Sequence, residues 1–180
     1  DEIADLILKV TNDGAIAAGT IDNPQKTASV GTYEWSGTVS NADNTLSTNY
    51  NIEYVDDGKA VSEVTSAKLD IVLGDVSHKY GSPNLDDYKA SIGTNGLVNG
   101  DNGNVSIDVN KVVDDALKDN NKYTDNVGDY TWVVSKDGIS ANGFNLGNYI
   151  VTVTNEGKSE VTPAKLDIVL GDVSHKYGSP

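Results

Sequence analysis

The sequence predicts a mainly β protein made of tandem small antiparallel β domains, each about 97 residues long, in an elongated array. Two observations support this fold class. A stretch of 17 residues recurs letter for letter 97 positions later, and apolar residues alternate with polar ones along most of the chain. Alternation with a period of two is typical of half-buried strands, and a repeat at fixed spacing is typical of chained, similar units.

The repeated stretch, AKLDIVLGDVSHKYGSP, runs from Ala67 to Pro83 and again from Ala164 to Pro180. The same spacing places the segment GTYEW at 31–35 onto GDYTW at 128–132, and both copies reach Ser-Glu-Val-Thr just before the repeated stretch. A period of 97 residues is longer than the roughly 20 to 50 residues of a solenoid repeat. We therefore expect separate beads, each with its own core.

The repeat divides the chain in two ways, and the sequence leaves both open. In the first, 1–66 is a partial repeat, 67–163 is a complete repeat and 164–180 is the opening strand of the next one. In the second, the chain consists of two units, 1–83 and 84–180, each of which closes on YGSP.

Strands are predicted wherever apolar side chains fall on one face of an alternating segment. Clusters of Gly, Asn and Asp, such as 99–104 and 155–157, separate these segments and supply the turns. Trp35 and Trp132 lie within alternating segments and are expected to anchor the core. In chain order, the predicted faces include Tyr50, Ile52 and Tyr54; Leu69, Ile71 and Leu73; Tyr130, Trp132 and Val134; Tyr149, Val151 and Val153; and Leu166, Ile168 and Leu170.

One segment has a helical pattern instead. Its apolar residues are spaced i, i+3, i+4, i+7 and i+8, and Asp108 stands where an N-cap is expected. With a short helix packed on a small sheet, the bead would be β-grasp-like; without it, two sheets would pack as an Ig-like β-sandwich. The residues of the pattern are Val109, Val112, Val113, Ala116 and Leu117.

These pieces, taken in order, resemble the YGX-type MBG domain. LDIVL and HKYGSP are followed by GLVNGD at 96–101, GDYTW at 128–132 and NYIVTV at 148–153. The resemblance covers 67–163 and the partial copy from Asp1 onward, and the segment Val113-Asp114-Asp115 departs from the pattern.

The resemblance has implications for location and role. MBG domains recur in filamentous-haemagglutinin-like and autotransporter adhesins. It therefore implies an extracellular protein, at the bacterial cell surface or secreted, that serves as a stalk or spacer. It supplies no catalytic residues.

The composition restricts the classes of binding partner that the chain can have. The chain has 27 acidic and 13 basic residues and a formal net charge of −14, so it repels nucleic-acid phosphates and anionic lipid head groups. It has no apolar run of the roughly 20 residues that a membrane-spanning helix needs. We expect neither nucleic-acid binding nor membrane insertion of this segment. Because the chain has no cysteine, it has no disulfide, thiolate nucleophile or zinc–thiolate site.

No catalytic, cofactor-binding or metal-binding residue is assigned from the sequence. The two histidines, His78 and His175, occupy the same repeat position, so a unit has one imidazole, and we expect it to serve the structure. No nucleophile, Walker or dinucleotide motif occurs. Tyr80 and Tyr177, each before a glycine, are expected to pack at a bead junction; a platform for a glycan is the alternative.

Calcium is the one candidate ligand, because calcium prefers carboxylate and carbonyl oxygens. Oxygen-rich loops occur at 86–87, at Asp101 with Asn102 and Asn104, and at 119–125. None follows the EF-hand pattern, and acidic loops are more often simply solvated. A covalent crosslink between a lysine and an asparagine or aspartate is a further hypothesis, without a particular pair.

Three functions remain as hypotheses, and catalysis is not among them. The first is a structural stalk or spacer, with beads joined by connectors such as 161–164, in which Pro163 favours a stiff junction. The second is a module that binds a glycan or a host protein. The third is a fibre subunit in which the segment 164–180 completes the partial first unit of a neighbouring copy by strand addition, head to tail.

Overall fold

The computed structural model describes residues 6–21, 23–41, 50–55 and 59–178; Asp1 and Pro180, which the repeat alignment uses, lie outside them. The chain is mainly β, as predicted, and its sheets are small and mostly antiparallel. The strands of the described part are β1 Leu6–Asp13, β2 Ile16–Thr20, β3 Asn23–Thr27, β4 Gly31–Asn41, β5 Lys59–Val64, β6 Ala67–Leu73, β7 Val76–Lys79, β8 Ala90–Ile92, β9 Asn104–Ile107, β10 Val112–Asp114, β11 Leu117–Lys118, β12 Tyr123–Thr124, β13 Gly128–Val134, β14 Ile139–Asn142, β15 Tyr149–Val153 and β16 Gly157–Thr162.

The first unit, residues 6–64, contains two small antiparallel sheets. In one of them β4 lies between β1 and β5, and in the other β2 pairs with β3. Among the described residues, β5 is therefore an edge strand that has a partner on one side only.

The second unit, residues 67–162, contains the hydrophobic core. One sheet has the order β10-β13-β16-β7 and another has the order β15-β6-β8, while β9 pairs with β14. Trp132 on β13 and Leu69 and Ile71 on β6 are at most 1% exposed, as their alternating pattern predicts. Full burial of such an aliphatic side chain contributes about 1.5 to 3 kcal/mol.

The first strands of the second unit pair in parallel with its last strands. β6 runs parallel to β15, with Ala67 opposite Tyr149, and β7 runs parallel to β16, with Val76 opposite Ser159. Only the residues Gly74 and Asp75 separate β6 from β7. The prediction of antiparallel domains did not include these two parallel ladders.

The predicted helix around 109–117 is wrong, and the described residues contain no α-helix. Asp108 does accept a hydrogen bond from the Asn110 backbone N–H, but the turn that it caps is a single 3-10 turn, Val109–Lys111. The chain then enters β10, because pairing with β13 satisfies its backbone groups and suits its β-branched valines. Within the described residues, no helix has the length and apolar character needed to span a membrane.

Two segments that were predicted to be strands have no strand structure. Residues 50–54 have no regular structure, and neither do residues 163–176, which include Leu166, Ile168 and Leu170. Those three side chains are 75% to 86% exposed, although their twins in β6 are at most 2% exposed. A strand needs a partner for its backbone, and no strand of the described residues pairs with either segment.

Candidate functional site

The most unusual chemical feature of the second unit is a buried carboxyl group that accepts hydrogen bonds from several chain segments. Asp114 ends β10, and its Oδ2 accepts from Tyr88 Oη at 2.6 Å, from Ser159 Oγ at 2.7 Å and from His78 Nε2 at 3.3 Å. Its Oδ1 accepts from the Ala116 backbone N–H at 2.7 Å. The Asp114 and His78 side chains are 0% exposed, so water does not compete for these bonds.

The hydrogen bonds assign the tautomer of His78. The backbone N–H of Asn84 donates to His78 Nδ1 at 3.1 Å, so Nδ1 is an acceptor and Nε2 carries the hydrogen that Asp114 accepts. Thr162 Oγ1 donates to the His78 carbonyl at 3.2 Å, which adds a side-chain hydrogen bond to the backbone pairing of β7 with β16. Every buried side-chain nitrogen or oxygen of the described residues has a partner.

The cluster holds a serine, a histidine and an aspartate, but its connectivity is that of a structural clamp. Ser159 donates to the carboxyl group of Asp114 rather than to His78, so the bond between a nucleophile and its base is missing. Ser159 and His78 are at most 1% exposed, which keeps a substrate out. The cluster therefore joins β7, β10 and β16, of which only β7 and β16 are neighbours in the sheet.

Two tyrosines keep their protons more strongly in this fold. Burial, followed by the hydrogen bond to Asp114, raises the pKa of Tyr88 far above its usual value. Burial also raises the pKa of Tyr149, and its hydrogen bond of 2.7 Å to Asp101 adds to the effect. In both cases the neutral phenol is the form that fits the folded chain.

We expect the free energy of unfolding to fall as the pH rises above about 10, where tyrosines in the unfolded chain lose their protons. Below that pH the contribution of the raised pKa values is fully present, because both states keep the protons. Urea unfolding at a series of alkaline pH values measures the slope. The variant Tyr88→Phe should flatten it, because this variant lacks the buried phenol whose pKa is raised. An equal slope in the variant and the parent protein would contradict the assignment.

The first unit has the same strand register and turn hydrogen bonds around Asp13 as the second unit has around Asp114. Asp13 lies opposite Trp35 as Asp114 lies opposite Trp132, and the Asp13 Oδ1 accepts from the Ala15 N–H at 2.9 Å. Other contacts recur as matched pairs: Gly14 N–H to Glu34 O and Asp115 N–H to Thr131 O; Ala28 N–H to Ala15 O and Asp125 N–H to Ala116 O; and Tyr33 Oη to Ser29 O and Tyr130 Oη to Asn126 O.

The first unit nevertheless lacks part of the cluster. Ser62 precedes Glu-Val-Thr as Ser159 does, but it is only half-buried. His78 and Tyr88 have no counterpart among residues 6–64, since the repeated stretch that carries the histidine follows that unit. Within the described residues, Asp13 accepts the Ala15 bond and no bond from an imidazole or a phenol.

The two tryptophans differ in the same way. Trp132 is 1% exposed, and its Nε1 donates to the Gly74 carbonyl between β6 and β7 at 3.0 Å. Gly157 lies beneath its indole ring, where an added methyl group would lie 1.9 Å from Nε1. Trp35, predicted to be a core anchor, is half-buried, and Ala60 is the residue opposite it.

Side-chain amides bridge the two units. Asn99 accepts the Thr27 backbone N–H at 2.7 Å and donates to the Thr27 carbonyl at 3.0 Å, as a neighbouring strand would. Asn148 Oδ1 accepts the Val30 N–H at 3.0 Å. Only the residues 65–66 separate β5 from β6, so a short connection and three hydrogen bonds define this junction.

The remaining candidate residues are dispersed. Tyr80 is 49% exposed and borders a groove with Val127 and Pro163, and the φ of +79° at Gly81 explains the glycine after it. In the acidic loops, Asp101 accepts from Tyr149, and Asp125 pairs with Lys118 at 2.8 Å. No group of three or more His, Asp or Glu side chains that could hold a metal occurs in the described part.

The sequence did not point to Asp114, Tyr88 or Ser159 as members of the buried cluster that contains His78. A signal was present, since an aspartate stands two residues before an alanine in both units, at Asp13 and Asp114. The stretches from these aspartates to Trp35 and Trp132 differ in length, which hides the match at a fixed offset of 97. Ser159 belongs to the Ser-Glu-Val-Thr that both units share.

Comparison of this chain with protein-family models, with curated proteins and with solved structures found no match.

Proposed function

We propose that this chain is a structural stalk or spacer of an extracellular bacterial adhesin, built from tandem beads that resist tension. The observation that carries the proposal is the parallel pairing of the first two strands of the second unit with its last two, β6 with β15 and β7 with β16. The resemblance of 67–163 to MBG domains supports the same role. A spacer has to transmit force between its two ends without losing its folded length.

Parallel terminal strands resist such a force for a geometric reason. The chain enters the unit at Ala67 and leaves it at Thr162, and these residues lie at opposite ends of strands that run in the same direction. A pull on both ends acts along the strands, whereas the ladder hydrogen bonds lie across them. The bonds therefore share the force and have to break together. In a hairpin pulled apart at its open end, they break one after another.

The clamp around Asp114 strengthens the same ladder. His78 on β7 and Ser159 on β16 both bond to one carboxyl group, and Thr162 bonds to the His78 carbonyl, so side chains add to the backbone bonds between these strands. The junction made by Asn99 and Asn148 restricts movement of one unit against the next.

Single-molecule stretching of the whole chain, held by its two ends, tests the proposal. We expect one event at high force that releases residues 67–162, a gain of about 300 Å at roughly 3.4 Å per extended residue. The first unit is an internal comparison, because its β1 and β5 each pair antiparallel with β4 and not with each other. It should unfold at lower force.

A change of the pulling direction is the matched control. The chain has no cysteine, so handles can be placed at Ser77→Cys and Glu160→Cys, two exposed residues that are direct partners in the β7–β16 ladder. Force applied there opens the ladder bond by bond, and we expect unfolding at much lower force. A second unit that opens at the same force in both directions, or below the force of the first unit, would contradict the proposal.

A further inference from the structure

We propose that Asn99 is a site of spontaneous deamidation which the closed junction between the two units suppresses, so that opening of the junction leads to its permanent release. In the closed junction, Asn99 and Asn148 of the second unit bond to the backbone of Thr27 and Val30 in the first. The inference goes beyond the spacer role and does not depend on it. It rests on the sequence at 99–100, on the bonds that hold the Asn99 side chain and on the chemistry of the product.

The sequence Asn99-Gly100 favours the reaction. The backbone nitrogen of Gly100, after losing its proton to solvent, attacks the Asn99 Cγ; the Cγ–Nδ2 bond breaks, ammonia leaves and a cyclic succinimide remains. Water then opens the ring at either of its carbonyl groups and leaves aspartate or isoaspartate. Asparagine is a thermolabile residue, and a glycine after it has no side chain to hinder the approach of its nitrogen. Water is the only co-reactant.

The closed junction holds both polar atoms of the Asn99 side chain. Its Oδ1 accepts the Thr27 backbone N–H at 2.7 Å, and its Nδ2 donates to the Thr27 carbonyl at 3.0 Å. Ring closure turns the Cγ toward the next nitrogen of its own backbone, so we expect both bonds to break first. The rate of deamidation should therefore follow the fraction of molecules in which the junction is open.

The turn around Asn99 is fixed by bonds that do not involve the first unit. Asn99 has a φ of +59° and Gly100 a φ of +72°, and the Asp101 N–H donates to the Val98 carbonyl at 3.0 Å, as in a type I′ turn. Tyr149 Oη accepts the Val98 N–H at 3.3 Å and donates to the Asp101 carboxylate at 2.7 Å. Opening of the junction should thus change the freedom of the Asn99 side chain and leave the turn in place.

Other asparagine–glycine pairs in the second unit provide comparisons, at 95–96, 102–103 and 142–143. The Asn95 Nδ2 donates to the Asp70 carboxylate at 2.6 Å, which is a bond within the second unit. Asn142 is exposed, and its side chain makes no hydrogen bond to any of the described residues. The state of the junction should therefore affect deamidation at Asn99 and not at Asn95 or Asn142.

The product of the reaction does not fit the closed junction. An aspartate at position 99 has two acceptor oxygens and no donor, so an oxygen replaces the Nδ2 that lies 3.0 Å from the Thr27 carbonyl oxygen. Two acceptors at this distance repel each other, and the new carboxylate adds to a net charge of −14. Isoaspartate also inserts a carbon into the main chain of the turn. Each product weakens the junction, and neither reverts to asparagine in water.

Peptide mapping by mass spectrometry, during incubation of the whole chain at mildly alkaline pH, tests the suppression. The variant Asn148→Ala lacks the acceptor of the Val30 N–H, so its junction should open more often. We expect Asn99 to react about fivefold faster in this variant than in the parent protein, the factor that corresponds to loss of one hydrogen bond.

The same samples contain internal controls. Asn95 and Asn142 should each react at the same rate in the parent and in Asn148→Ala. Asn126→Ala is the matched control variant, because Asn126 is an exposed asparagine of the second unit that bonds through its backbone, and it should leave the rate at Asn99 unchanged. An equal rate at Asn99 in the parent and Asn148→Ala, or an acceleration at Asn142 as large as that at Asn99, would overturn the proposal.

The variant Asn99→Asp has the side chain of one product and tests the release. Hydrogen exchange of the Val30 amide, which bonds to Asn148 across the junction, should become about fivefold faster or more. Asn142→Asp adds the same charge at an exposed position and should leave this exchange rate unchanged. Equal exchange of the Val30 amide in the parent and in Asn99→Asp would show that the junction survives deamidation, and the proposal would be wrong.

Discussion

Replacing Asp114 with alanine should lower the free energy of unfolding of the second unit by about 4 kcal/mol. The change removes the acceptor of Tyr88, Ser159 and His78 at once, and it leaves their donors in an interior where water does not replace it. A buried donor without a partner costs about 1 to 3 kcal/mol, and several donors share the Asp114 carboxyl group as their acceptor. Urea unfolding followed by the fluorescence of the buried Trp132 measures the loss.

The first unit contains the matched control for this change. Asp13 has the same place opposite a tryptophan and the same bond to an alanine N–H, but among the described residues it has none of the three side-chain donors. Asp13→Ala should therefore cost only about 1 kcal/mol, the value of one such hydrogen bond. A similar loss in both variants would mean that Asp114 stabilises its turn and not the clamp.

The second large effect is expected from a single methyl group at Gly157. In Gly157→Ala the new carbon would lie 1.9 Å from Trp132 Nε1 and 2.3 Å from Cε2, so the indole ring has to move. Movement overpacks the core against Tyr88, whose ring is 4.8 Å away, and breaks the bond to the Gly74 carbonyl. Together these terms should lower the unfolding free energy by about 3 kcal/mol.

Gly128→Ala provides the comparison for this prediction. Gly128 also lies in a strand, but an added methyl group there would lie 3.5 Å from the nearest ring atom of Tyr130, which is ordinary contact. We expect its cost to stay below about 1 kcal/mol. Equal urea midpoints for the two variants would show that the Trp132 ring can move without a loss of stability.

The strand content could be predicted from the sequence because alternation reports directly which side of a strand is buried. Leu69, Ile71 and Trp132 are buried as their patterns indicate. The spacing of Val109, Val112 and Val113 also fits a helix, and no local signal excludes one. Pairing with β13, a tertiary interaction, decides for a strand.

The candidate site was less accessible to prediction, since its residues come from four separate segments. His78 and Ser159 are brought together by a parallel ladder between distant strands, and alternation does not tell which strands pair. Residues 67–81 and 164–178 show that a local sequence pattern does not by itself determine whether a strand forms. They are identical in sequence, yet among the described residues only the first copy pairs with other strands and forms strands itself.

The parallel ladders also affect the order in which such a chain folds. Leu73 in β6 bonds to Asn155, 82 residues later, so the side of the opening strand that faces β15 must wait for nearly the whole unit before its backbone is satisfied. Contacts that are so distant along the chain slow folding and leave apolar strands exposed meanwhile. Residues 164–178 have the same sequence as this opening segment and compete with it for the same partner strands. We expect refolding from urea to be slow, with a yield that falls as the protein concentration rises.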